Sequence, residues 1–155
     1  MNLSEILLPA SVRIPLASTS KADVLRELVG LLPSAAEPTV RDSVLAAVLE
    51  REQRMSTGIG QGIAIPHGKS DRVSGMEIGF GISPRPIEFG SLDGRPVQLF
   101  FILVSRPEMT APHIQALAQI SRILSSDHLR EELAAATGAA GVLDLLRREE
   151  ARLGA

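Results

Sequence analysis

The chain has 155 residues, 45% of them apolar and 22% charged, and carries a net charge of −2; one domain of this length buries roughly two-thirds of its unfolded surface. Its 16 basic residues, 14 of them arginine, form no basic block, and four phenylalanines with no Trp or Tyr offer no stacking platform, which argues against nucleic acid as a partner. With no cysteine, disulfides and thiolate metal sites are excluded, which suits a cytoplasmic protein. Met1 to Glu5 does not read as a signal peptide. No run reaches the ~18 apolar residues that a membrane helix needs, so a soluble intracellular domain with no direct membrane insertion is expected.

Ser4 to Leu8, closed by Pro9, reads as a short helical turn, and Val12 to Leu16 as a first strand. Ser18 to Ser20 offer N-caps for a helix over Ala22 to Leu32, where Val24, Leu25, Leu28, Val29 and Leu32 recur at helical spacing. Pro33 to Pro38 reads as a loop, with Thr39 as the next N-cap. A second helix from about Val40 to Arg54 turns Val44, Leu45, Val48 and Leu49 inward. Arg51 lies at the edge of that stripe. Spacing alone leaves two readings: a side chain snorkelling at a helix end, where a cation suits the dipole, or a guanidinium presented to an anion.

The stretch Ser56-Thr-Gly-Ile-Gly-Gln-Gly-Ile-Ala-Ile-Pro-His67-Gly-Lys69 follows. Gly58, Gly60 and Gly62 alternate, as positions of positive φ or close approach do. Ile63 to Ile65 reads as a short buried strand ended by Pro66, so that His67 stands where strand gives way to loop and Gly68 lets the chain turn away. Counting excludes two nucleotide motifs. The position that a phosphate-cradling loop requires as glycine is Ile63, and the third glycine of the dinucleotide fingerprint falls on Ile63 or Ile65. Met76 to Ile82 alternates as a strand, interrupted by Pro84-Arg85-Pro86. Ile87 to Phe89 reads as a short edge piece, Asp93-Gly94 as a turn, and Val97 to Val104 as a central strand buried on both faces. Pro107 to Pro112 is expected as loop. Helices then run over His113 to Leu124, about Asp127 to Ala136 and about Ala139 to Leu153. No repeat or linker divides the chain. The order of elements predicts one α/β domain, a three-layer α/β/α sandwich with a mixed sheet.

Glu52, six residues, Ile59-Gly60, two residues, then Ile63-Ala64-Ile65-Pro66-His67-Gly68 resembles the signature of the IIA domains of the bacterial phosphotransferase system, of the fructose/mannitol/nitrogen-regulatory class. About ten positions match in one register, and the resemblance extends from Leu3 to the closing helices, so residues 1–155 are expected to form one such domain. The lack of an attached sugar-binding or membrane domain resembles the stand-alone nitrogen-regulatory members. The resemblance implies a mixed sheet with helices on both faces. It implies that His67 accepts a phosphoryl group from a phosphohistidine carrier, HPr or its nitrogen-branch homologue. It also implies that Arg51 and a second histidine, His113, stabilise that group. The downstream recipient would be a IIB domain or a regulatory target, a kinase or transporter.

Imidazole chemistry agrees with that role: neutral His67 has a lone pair at physiological pH and forms a labile phosphoramidate, leaving alignment and charge stabilisation to the protein. Ser56, Thr57 and the amides of the loop at Gly58 are further candidates for phosphate contacts. From the residues alone, His67 is readable first as a hydrogen-bonded structural histidine. His113, in register with Leu117, Ile120 and Leu124, is readable as a capping or core residue. His128 reads as a surface residue. No cofactor is required, and the histidines lack the pair spacing of a zinc site. Other readings stay open: a sugar-uptake IIA, a phosphorylation-independent binding module of the same fold, or a structural relative. A hydrolase has no paired nucleophile and base to support it.

Overall fold

The computed structural model describes residues 2–154. A six-stranded mixed sheet runs β1 (Val12–Arg13), β2 (Gly58–Gly60), β3 (Ile63–Ala64), β4 (His67–Lys69), β5 (Glu77–Ile87) and β6 (Val97–Ser105). The spatial order is β1-β5-β6-β3-β2, and β4 pairs with β6 beyond β3. β5 and β6 are antiparallel, whereas β1 lies parallel to β5 and both β3 and β4 lie parallel to β6.

Two helices, α2 (Lys21–Val29) and α3 (Pro38–Arg54), cover one face of the sheet; α1 (Leu3–Ile6), α4 (Thr110–Ile123), α5 (Asp127–Ala134) and α6 (Ala139–Arg152) cover the other. β6 explains why two layers are needed. Leu99, Phe101 and Leu103 join the core under α4, α5 and α6, while Phe100, Ile102 and Val104 join the core under α2 and α3. A strand apolar on both sides is stable only with helices over both. The architecture is the three-layer sandwich expected from the sequence.

Several boundaries differ, each for a local reason. β1 stops at Arg13 and not Leu16, because Pro15 has no N–H for the ladder; pairing resumes where Leu16 N donates to the Ile82 carbonyl at 2.8 Å. α2 starts on a Ser20 cap whose hydroxyl accepts from Asp23 N, and ends before Gly30, so Leu31 and Leu32 are buried in the turn beyond it. Thr39 is not a cap: Pro38 opens α3 at its first helical position, and the preceding residues 33–36 form a 3-10 turn. β5 runs through Pro84 and Pro86 with a register irregularity between Ile82 and Ile87; it ends at Ile87, so residues 87–89 form no separate edge piece, and Phe89 beyond it is fully buried. α4 begins three residues before His113, with Pro112 in the first turn, where a missing N–H breaks no intrahelical bond. α5 and α6 end at Ala134 and Arg152.

Phe101 is fully buried on β6, its ring 4.7 Å from that of Phe80 on β5. Phe101→Ala is expected to lower the unfolding free energy by about 3–5 kcal/mol, read from urea midpoints at unchanged slope.

Candidate active site

β3 and β4 pair with β6 at one offset: Ile63 faces Leu99 and His67 faces Leu103, 36 residues apart in both cases. His67 is therefore not the start of a loop but the first residue of a further strand. Gly68 does not turn the chain away. A Cβ there would stand 3.2 Å from the backbone of Ala47 and Val48, so the missing side chain lets α3 press directly on β4. Within the glycine-rich stretch, the glycines that take positive φ are Gly60 and Gly62, flanking Gln61 in the turn from β2 to β3. Gly58 instead makes room for Ser91, whose Oγ a Cβ would meet at 2.3 Å.

That close approach forms a cleft of about 390 Å³ lined by Arg51 and Arg54 from α3, His67 and Lys69 from β4, and His113 and Leu117 from α4, with Glu50 beside them. The structure thus brings His67, His113 and Arg51 together; the two imidazole centroids lie 5.6 Å apart with planes tilted by 60°. His67 Nδ1 is 2.8 Å from the Ile65 carbonyl. A carbonyl only accepts, so Nδ1 carries the proton and Nε2 keeps the lone pair. His113, 4% exposed, has Nδ1 2.7 Å from the hydroxyl of fully buried Ser105. Arg51 Nη1 donates to the Met55 carbonyl at 2.7 Å and so closes the end of its own helix.

Ser56, Thr57 and Gly58 do not line this cleft, so their expected role as phosphate contacts is not what the geometry offers. The Thr57 amide and hydroxyl donate to the buried carboxylate of Glu52, the hydroxyl at 2.6 Å. Glu52 also pairs with Lys21 at 3.0 Å. The Ser56 hydroxyl donates to the Phe89 carbonyl and accepts from Gly58 N. These residues brace the chain between α3 and β2. Sequence reasoning missed Ser105, Arg54 and Lys69. The available signals were a polar residue ending an apolar run, a second arginine three positions after Arg51, and a lysine two positions after His67.

Burial pushes the His67 pKa below the ordinary imidazole value. Arg51 and Arg54 add to that direction, while the Ile65 carbonyl and Glu52 oppose it. Burial likewise pushes His113 down to about 4, with repulsion from His67 and Lys69 adding to it. Both rings are neutral at physiological pH. His128, an exposed residue, is far from them in role, pairing with Glu132 within α5. Among the described residues no group of three or more His, Cys, Asp or Glu is placed to hold a metal ion, and no helix is long and apolar enough to cross a membrane. A neutral nucleophilic nitrogen beside three cations suits transfer of an anionic electrophile.

Residues 5–149 match the family model for the phosphoenolpyruvate-dependent sugar phosphotransferase system, EIIA 2. The chain is 34% identical over 148 residues to a nitrogen regulatory protein of Bradyrhizobium diazoefficiens, covering 94% of this chain and 95% of that protein. It is 32% identical over 150 residues to the fructose-specific EIIABC component of Bacillus subtilis, covering 97% of this chain but spanning only 24% of that protein's length. The crystal structure of nitrogen regulatory protein IIA-Ntr from Neisseria meningitidis superposes with a TM-score of 0.84 at 30% identity, covering 93% of this chain and 98% of that one.

Two outcomes follow from this geometry. Gly68→Ala is expected to push α3 off β4 and destabilise the fold by about 1–3 kcal/mol, measured by urea unfolding. For His113, the native ring refuses a proton that the unfolded ring accepts. Its contribution to stability is therefore present above pH 6.5 and is lost as pH falls toward 4. The loss amounts to up to about 3 kcal/mol. Chemical denaturation across that range should show a steeper fall in the wild type than in His113→Asn.

Proposed function

This chain belongs to the EIIA 2 family of the phosphoenolpyruvate-dependent sugar phosphotransferase system, a family of phosphoryl-relay phosphotransferases, and we propose that His67 carries the phosphoryl group on Nε2. The observation that carries the proposal is the 2.8 Å contact of His67 Nδ1 with the Ile65 carbonyl, which leaves the Nε2 lone pair unprotonated in a cationic cleft.

The lone pair of Nε2 attacks the phosphorus of a donor phosphohistidine. The new N–P bond forms as the donor's breaks, and the electron pair of the old bond returns to the donor nitrogen. The Nδ1 proton stays between the ring and the Ile65 carbonyl. In onward transfer the ring then leaves phosphorus as neutral imidazole and not as an imidazolide, which lowers the barrier. Arg51 and His113 donate hydrogen bonds to the phosphoryl oxygens, the guanidinium matching them in shape and charge. Ser56, Thr57 and Gly58 act at a distance, by holding Glu52 and the chain that leaves α3.

In this reading residues 1–155 form one relay domain. Its donor is HPr or the nitrogen-branch homologue, and the recipient is a IIB domain or a regulatory target such as a kinase or transporter. Likeness to the nitrogen regulatory proteins of Bradyrhizobium diazoefficiens and Neisseria meningitidis supports a role in nitrogen regulation; the proposal extends this role to potassium metabolism and places the protein in the cytoplasm. The comparable identity to the Bacillus subtilis fructose component supports a second reading, the IIA step of sugar uptake.

Incubation with phosphoenolpyruvate, enzyme I and the carrier of each branch is expected to add one acid-labile phosphoryl group, read by intact mass. The faster branch distinguishes the two readings. His67→Ala should abolish labelling with the fold retained, and labelling that survives would overturn the assignment. Arg51→Lys should slow transfer by about 10²-fold, as loss of a preorganised donor does.

A further inference from the structure

We propose that Ser105 is a positioning residue that sets the tautomer of His113, so that this second histidine presents Nε2–H and not a lone pair to the phosphoryl group. The inference rests on the reading of His67 as the phosphorylated residue.

Ser105 is the last residue of β6, fully buried, in register opposite Lys69, and its carbonyl accepts from Ser70 N at 3.0 Å. Its hydroxyl has two neighbours to which it can donate: His113 Nδ1 at 2.7 Å and the Arg106 carbonyl at 3.4 Å. If Nδ1 held the imidazole proton and donated it, the hydroxyl proton would be left with the distant carbonyl alone. A buried donor so poorly paired is costly. If the hydroxyl donates to Nδ1, both groups are satisfied by one bond. Its length also matches an O–H donor, since N–H donors centre near 2.9–3.0 Å. A neutral imidazole holds one proton, so the proton must then be on Nε2.

The two histidines of the cleft become opposites. A carbonyl at Nδ1 leaves His67 with a bare Nε2, suited to attack; a hydroxyl at Nδ1 leaves His113 with a protonated Nε2, suited to donate. Phosphoryl oxygens only accept, so a bare Nε2 on His113 would face them lone pair to lone pair. The protonated form supplies a donor without adding charge 5.6 Å from the nucleophile. That neutrality agrees with the depressed pKa of His113.

Long-range ¹H–¹⁵N correlation spectra of the imidazoles test the inference directly. The wild type should show His67 protonated on Nδ1 and His113 on Nε2. Ser105→Ala should shift His113 toward the Nδ1–H form and slow phosphoryl transfer by about tenfold to a hundredfold, and Ser105→Thr should restore both. An Nδ1–H form of His113 in the wild type, or an unchanged tautomer in Ser105→Ala, overturns the proposal. The wild-type spectrum decides even if the variant does not fold. Absence of His67 labelling in the wild type, with His113 still protonated on Nε2, would overturn the phosphorylation reading and leave the tautomer assignment standing.

Discussion

His67 donates its Nδ1 proton to a carbonyl two residues earlier because the strand it belongs to loses its outer neighbour at that point. β3 and β4 follow β6 at one constant offset. On their other edge β2 reaches only as far as Gly58 opposite Ala64, and the Thr57 carbonyl takes the Ile65 amide as the last bond of that edge. Beyond it the chain departs toward α3, and among the described residues the Ile65 carbonyl has no backbone partner. Pro66 follows, contributing no N–H of its own but giving its carbonyl to Leu103 N at 3.0 Å. The imidazole fills the vacant position on the open edge, while the closed edge stays locked to the central strand. A side chain held in this way has its tautomer chosen by backbone topology.

The charge of the cleft has the same origin. Arg51 and Arg54 lie three positions apart at the end of α3, where cations also answer the helix dipole, and Lys69 reaches in from β4. Only Glu50 opposes them on the lining. Arg51 is held in place by the Met55 carbonyl, and Arg54 and Lys69 are exposed to an incoming anion. The two rings, His113 buried and His67 half-buried, are kept neutral by desolvation and so do not repel one another. Gly68 is what allows the two sets to meet, since any side chain there would hold α3 away from β4.

Much of this was legible in the sequence, and most of the parts that were not share a cause. The apolar run 97–104 and the stripes at 24–29 and 44–48 announced a strand covered on both faces and two of the helices that cover it, because those patterns are local. His67 stood in a motif of one register, and Arg51 and His113 came from the family resemblance that the motif carries. Thr39 failed locally: it carries the chemistry of a cap, but Pro38 already fixes the helical φ one residue earlier. The other failures depended on contacts that only the fold supplies. Gly68 looks like a turn residue until α3 is seen against it. The Thr57 hydroxyl resembles a phosphate donor until Glu52 is found beneath it, already bound to Lys21. Ser105 has no local signature at all, since its partner lies eight residues on, after a change of direction between strand and helix.

The same non-locality has a temporal side. Arg51, His67, Ser105 and His113 come from four separate segments, and the strand that aligns them, β6, is synthesised after β3 and β4 have already emerged. Ordering of this cleft must therefore wait for pairing across some 36 residues and for the docking of α4, among the slower events of folding because loop closure precedes reward. A nascent or partly opened chain displays the glycine-rich segment and its histidine without the second ring, the tautomer lock or the packed helix. In the proposed reading, competence as an acceptor thus waits on the complete tertiary structure, which acts as a checkpoint on the chemistry.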